Sequence, residues 1–166
     1  HEQVRDALIW LGGNPILAVL AGTAITMLLQ SSSASIAMIQ MLAFQGVFGT
    51  DWHLALQVAI PYILGDNIGT TITAQIAALR TSRNARRTAM GHTIFNVIGV
   101  MYMLPLLIWT PWYTTAVESI APGALSQQTI MTHIFFAHFA FNVFNVIVFM
   151  PLIGVLEAIV LRILPV

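Results

Sequence analysis

The chain contains no cysteine and very little charge: of its 166 residues, 7% are Asp, Glu, Lys or Arg, while 58% are hydrophobic. The absence of cysteine excludes disulfides and thiol chemistry. The scarcity of charge excludes an ordinary soluble domain, in which about a quarter of the residues are charged and cover the water-facing surface. These numbers indicate an all-α integral membrane protein. No Arg or Lys occurs between Asp6 and Arg80, and the stretch from Pro15 to Thr50 has no charge of either sign.

The charge that is present is concentrated. Four of the six basic residues, Arg80, Arg83, Arg86 and Arg87, fall within eight positions, which are expected to form a loop on the cytoplasmic side of a cell (inner) membrane by the positive-inside rule. A nucleic-acid partner would need a soluble basic surface, so none is expected. The segment from His1 to Gly13 carries Glu2, Arg5 and Asp6. It lacks the basic start and small-residue cleavage site of a signal peptide, and reads as a short amphipathic lead-in helix.

The most informative tract is Gln30-Ser31-Ser32-Ser33, four consecutive hydrogen-bonding side chains in the middle of the uncharged stretch. At membrane depth an unsatisfied polar group costs several kcal/mol unless it lines a protein-bounded polar cavity. The apolar segments on either side, Pro15 to Leu29 and Ala34 to Phe48, have 15 residues each, whereas a span needs about 20. A single helix over both would be about 51 Å long, far more than the membrane requires. The lengths predict a re-entrant hairpin over 15–48 that turns near the midplane at the serine tract and leaves by the face it entered.

The next segment, His53 to Leu79, is long enough to span, but its centre reads Gly65-Asp66-Asn67-Ile68-Gly69-Thr70-Thr71. Two glycines and four short polar side chains are poor helix formers, and Pro61 one turn earlier leaves the carbonyl of Gln57 without its helical partner. The segment is expected to be a broken transmembrane helix. Asp66 is then an ionisable group at membrane depth, for which function is the default reading; an N-cap for the following half-helix is the competing role.

Two further spans are expected at 88–109 and 129–150, related by an internal repeat of period 46. Gly91-His92-Thr93-Ile94-Phe95-Asn96-Val97 aligns with Ala137-His138-Phe139-Ala140-Phe141-Asn142-Val143. In each, His and Asn are four apart and share a helix face, so His92, Asn96, His138 and Asn142 form two polar stripes. They either support a site or hydrogen-bond between helices. The connection from Thr110 to Gln128, with Trp109, Trp112 and Tyr113, fits an interfacial aromatic belt, and 152–166 reads as a tail helix. Counting crossings opens the hairpin outside and leaves the C-terminal end in the cytoplasm.

Enzyme chemistry finds no support. His133 and His138 are five apart, which is wrong for two ligands on one face. The three serines lack a neighbouring base, and Gly65 to Gly69 lacks the lysine of a nucleotide loop. Transport uses what is present. A hairpin tip exposes backbone N–H groups at the positive end of a helix dipole, a ready anion site. With no basic side chain nearby, the compensating positive charge must arrive as bound cations, and Ser, Thr, Asn, Gln, Asp and carbonyl oxygens are hard ligands suited to sodium. A channel with Gly65 to Thr71 as its filter, or a non-transporting half of a split or two-repeat transporter, are the alternatives.

Three motifs in order, Gln30-Ser31-Ser32-Ser33-Ala34, Gly65-x-Asn67-Ile68-Gly69-Thr70-Thr71 and Ala85-Arg86-Arg87-x-Ala89-x-x-His92-x-x-Phe95-Asn96, resemble the type II sodium/phosphate cotransporter family. The resemblance implies sodium-coupled transport of inorganic phosphate, with no cofactor beyond the sodium ions. It implies Gln30, Ser31, Ser32 and Ser33 as phosphate ligands and Gln30, Ser33, Asn67, Thr70 and Thr71 as sodium ligands. Asp66 replaces the small residue common in that family and adds a carboxylate to the cation set. The resemblance also implies two inverted repeats, each with a serine hairpin, and one is present here. An antiparallel homodimer, or a second homologous repeat, is the expected partner within the lipid bilayer.

Overall fold

A computed structural model describes residues 2–165. His1 and Val166, the outer ends of the expected lead-in and tail helices, lie outside the described residues. The secondary structure of the described residues is helical, with no strand: α1 (Glu2–Gly12), α2 (Pro15–Leu29), α3 (Ser32–Phe44), α4 (Trp52–Ala78), α5 (Arg83–Trp109), α6 (Trp112–Ile120), α7 (Ile130–Phe149) and α8 (Ile153–Ile163). Two stretches are long and apolar enough to cross a membrane, Arg83–Trp109 and Ile130–Ile163.

Local chemistry sets the ends of the two short helices. Asn14 caps α2, its side-chain oxygen accepting from the N–H of Ile16 at 2.9 Å and of Leu17 at 3.3 Å, and Pro15 occupies the first helical position. The helix stops at Gln30, whose φ of 52° and ψ of 26° lie in the left-handed region. One residue later Ser31 caps α3 by accepting from the N–H of Ala34 at 3.2 Å. The connection is therefore two residues long, shorter than the four-residue serine turn expected, because Ser32 and Ser33 already belong to the first turn of α3.

The expected break in the next helix is not there: α4 runs without interruption through Gly65–Thr71. Tertiary packing overrides the weak propensity of that sequence. Gly65 and Gly69 face α2, where a Cβ on Gly65 would run into the backbone of Val19 and Thr23, and one on Gly69 would come 2.7 Å from the carbonyl oxygen of Thr23. The glycines serve close approach of two backbones. The threonines are tied into the helix itself, Thr70 Oγ1 donating to the carbonyl of Asp66 at 2.8 Å and Thr71 Oγ1 to that of Ile68 at 2.7 Å.

Two connections also differ from expectation. Ser82 accepts from the N–H of Ala85 and starts α5 at Arg83, so Arg83, Arg86 and Arg87 sit on the first turns of a helix and only Arg80 remains in the connection. The aromatic segment after Trp109 folds as α6, where Tyr113 is buried and donates its hydroxyl to the carbonyl of Ala137. A short 3-10 turn at Met150–Leu152 separates α7 from α8. The core gathers Ile39, Leu56, Ile60, Ile63, Met103, Ile134 and Phe141. Outside it, Leu28 is 83% exposed, Trp109 80% and Ile153 70%, a surface suited to lipid rather than water.

Candidate functional site

The site begins at the end of the α2–α3 hairpin. Gln30 and Ser33 are exposed there, and Ser31 and Ser32 are half-buried. The N–H groups of Ser32 and Ser33 open α3 and have no acceptor within the helix, by the geometry of any helix start. Gln30, in its left-handed conformation, turns the chain so that donors from both arms converge on α4.

That convergence is centred on Asp66, which is fully buried. Its Oδ1 accepts from Thr26 Oγ1 on α2 and from Ser35 Oγ on α3, each at 2.7 Å. Its Oδ2 is buried and has no hydrogen-bond partner. Thr23, one turn before, donates to the carbonyls of Val19 and Gly65. Thr26 and Ser35 were missed by the sequence reading. Ser35 follows Ser31 by four residues and shares its helix face, which was the available signal.

Asn67, the next residue, points elsewhere, since neighbours on a helix differ by about 100° in direction. It donates to the carbonyl of Ile63 at 2.9 Å, and its side-chain oxygen accepts from Asn142 Nδ2 of α7 at 3.1 Å. The sodium-ligand set expected from sequence is thus divided: Asp66 faces the hairpin, Asn67 faces α7, and Gln30 and Ser33 lie at the exposed tip. Thr71 is buried and Thr70 half-buried beside them.

The two His-x-x-Phe-Asn segments share one hydrogen bond within the helix and differ in their surroundings. Asn96 Nδ2 donates to the carbonyl of His92 at 3.1 Å, and Asn142 Nδ2 to that of His138 at 2.9 Å. Asn142 also reaches Asn67, whereas Asn96 is buried with its side-chain oxygen unpartnered. His92 is exposed and His138 half-buried. A buried polar contact absent from the sequence reading joins the same helices: Asn145 of α7 donates to the carbonyl of Phe95 at 3.2 Å and accepts from Tyr102 of α5.

A cavity of about 440 Å³ lies at the other end of α2, bounded by Pro15, Gln57, Pro61 and Thr110. It contains none of the expected ligands. No group of three or more His, Cys, Asp or Glu that could hold a metal occurs among the described residues, and a lone carboxylate among hydroxyls and amides suits a weakly demanding monovalent cation better than a divalent one.

The sequence model of the Na+/Pi-cotransporter family matches residues 1–112, about two thirds of the chain. The chain belongs to that family. The matched region holds the hairpin, all of α4 and the first His-x-x-Phe-Asn segment. Among relatives, the uncharacterized protein YqeW of Bacillus subtilis is 32% identical over 162 residues, covering 96% of this chain and 47% of its own. Sodium-dependent phosphate transport protein 2C of Homo sapiens is 42% identical over 104 residues, covering 59% of this chain and 16% of its own. Protein 2A of Rattus norvegicus is 38% identical over 99 residues, with 56% and 15% covered. This family member therefore spans about half the length of the bacterial relative and about a sixth of the mammalian ones. No solved structure matches it.

Proposed function

We propose that this chain carries one half of a sodium-coupled transporter for inorganic phosphate in a cell (inner) membrane. The supporting observation is the hairpin tip, where an uncharged serine-rich turn opens a helix beside a buried carboxylate, with no basic side chain in the sequence from Asp6 to Arg80. Phosphate takes the open N–H groups at the start of α3 and the hydroxyls of Ser31, Ser32 and Ser33, with Gln30 above them. Its charge is balanced by sodium held by oxygen ligands from Gln30, Ser33, Asp66, Asn67, Thr70 and Thr71. Asn142 supports the site by tying α7 to Asn67, and His92, Asn96 and His138 supply the rest of the polar stripes of α5 and α7. The relatives named sodium-dependent phosphate transport proteins add the substrate and the coupling ion to this reading.

A single hairpin supplies half a site. The other half comes from a second homologous repeat or from a second copy inserted antiparallel, and Arg80, Arg83, Arg86 and Arg87 mark the cytoplasmic side of the half described here. The deciding experiment is uptake of labelled phosphate into liposomes holding the purified chain, with and without an inward sodium gradient. Accumulation only with the gradient supports the reading and self-pairing together. Sodium-independent flux would point instead to a channel. Uptake that appears only when a second serine-hairpin chain is added assigns the missing half to that chain.

A further inference from the structure

Asp66 is the one fully buried side chain among the Asp, Glu, Lys and Arg of the described residues. Nothing charged faces it. The His–carboxylate contact found among those residues, His53 with Glu118, lies at the start of α4, away from Asp66, and is partly exposed. The next basic residue, Arg80, lies beyond the end of α4, about 21 Å away at 1.5 Å per residue. Thr26 and Ser35 each give their proton to Oδ1, and neither hydroxyl oxygen accepts a hydrogen bond from another described residue. Oδ2 remains shut off from solvent with no donor at all. A buried carboxylate in this state costs several kcal/mol unless a positive charge joins it.

We propose that Asp66, Thr26 and Ser35 form a sodium site of their own, about one helical turn inside the hairpin tip and separate from the phosphate-binding serines. This rests on the sodium-coupled reading above and divides its cation ligands into an inner and an outer group. Oδ2 supplies the one negative charge, and the free lone pairs of the two hydroxyls supply hard neutral oxygens from opposite arms of the hairpin. One carboxylate with neutral oxygens matches a monovalent cation, since calcium and magnesium sites draw on more carboxylates or on substrate phosphates. The bound ion neutralises Asp66 and ties α2 and α3 to α4 before phosphate arrives. Sodium therefore binds this site without phosphate, and its occupancy precedes assembly of the tip.

The test is binding of radiolabelled sodium to the purified protein in detergent, at fixed pH and without phosphate, alongside labelled phosphate binding in excess sodium. The protein is expected to bind sodium saturably. Asp66→Asn, close to the same shape, is expected to weaken that binding at least tenfold, and Thr26→Val and Ser35→Ala several-fold each. Ser32→Ala is expected to keep phosphate-free sodium binding while weakening phosphate binding at least tenfold. Undiminished sodium binding in Asp66→Asn, Thr26→Val and Ser35→Ala would overturn the inner site, as would an absence of sodium binding in the parent protein. Retained phosphate binding in Ser32→Ala with lost sodium binding in Asp66→Asn would remove the tip assignment and leave the inner site standing. Thr26→Val and Ser35→Ala decide the matter if Asp66→Asn fails to fold, which circular dichroism reports.

Discussion

Ser32 sits where two chemistries coincide: its N–H is one of the unpaired donors at the start of α3, and its hydroxyl is half-buried at the tip. Replacing it with alanine keeps the backbone donor and removes the hydroxyl. A hydrogen bond to a charged group contributes about 1.5 to 3 kcal/mol, so Ser32→Ala is expected to reduce phosphate affinity by about one to two orders of magnitude, measured by labelled phosphate binding. Asn142 has a different role. It bridges α7 to Asn67 on α4, and contacts of this kind in membrane bundles average about 0.6 kcal/mol. Asn142→Ala is expected to destabilise the bundle by about 1 kcal/mol in reversible unfolding in detergent, and the combined Asn67→Ala, Asn142→Ala change should cost less than the two single changes summed. That Asp66 and Asn67 would be polar groups inside the bundle was legible in the sequence, because polar residues in an apolar stretch need a reason to be there. Thr26 and Ser35 were not, since a lone hydroxyl on an apolar helix satisfies itself on a backbone carbonyl as easily as it meets a partner from another helix. Only the fold brings them to Asp66.

At the scale of elements, the short helices on either side of the serine tract could be read from length, while their caps at Asn14 and Ser31 came from the structure. The continuity of α4 could not. Gly65 and Gly69 are ambiguous in a sequence, since glycine serves both an unwound segment and a close helix crossing, and the crossing is decided by what α2 presents to it. Here it presents its own backbone. A side chain at Gly65 has no space to move into, so Gly65→Val is expected to destabilise the protein by 3 kcal/mol or more, at or above the usual cost of about 1 to 3 for overpacking, read as loss of the folded monodisperse peak in detergent. Gly154 meets nothing within 4 Å of an added Cβ, and Gly154→Ala should leave that peak unchanged. The extent of the arginine segment was misread for a related reason: clustered charge signals a membrane side, while a serine cap decides where a helix starts.

For the whole molecule, the testable statement is which side of the membrane each end of α4 reaches. The chain has no cysteine, so a single introduced thiol reports without background. Ser82→Cys, in the connection beside Arg80, is expected to resist an impermeant thiol reagent applied to intact cells and to react once the membrane is opened, whereas Thr50→Cys, before the other end of α4, is expected to react from outside. Labelling of Ser82→Cys from outside in half the molecules would instead reveal insertion in both orientations, as an antiparallel pair of identical chains requires.

The glycine contacts between α2 and α4 also limit how the protein can move. Where two backbones touch with no side chains between them, neither helix can slide along or roll over the other without first separating. Thr26 and Ser35 fasten both arms of the hairpin to the same helix one turn further on. The hairpin and α4 therefore behave mechanically as one lever, and in the transport cycle proposed above a change of access from one face of the membrane to the other would carry all three helices together against α5 and α7 rather than open a flap at the tip.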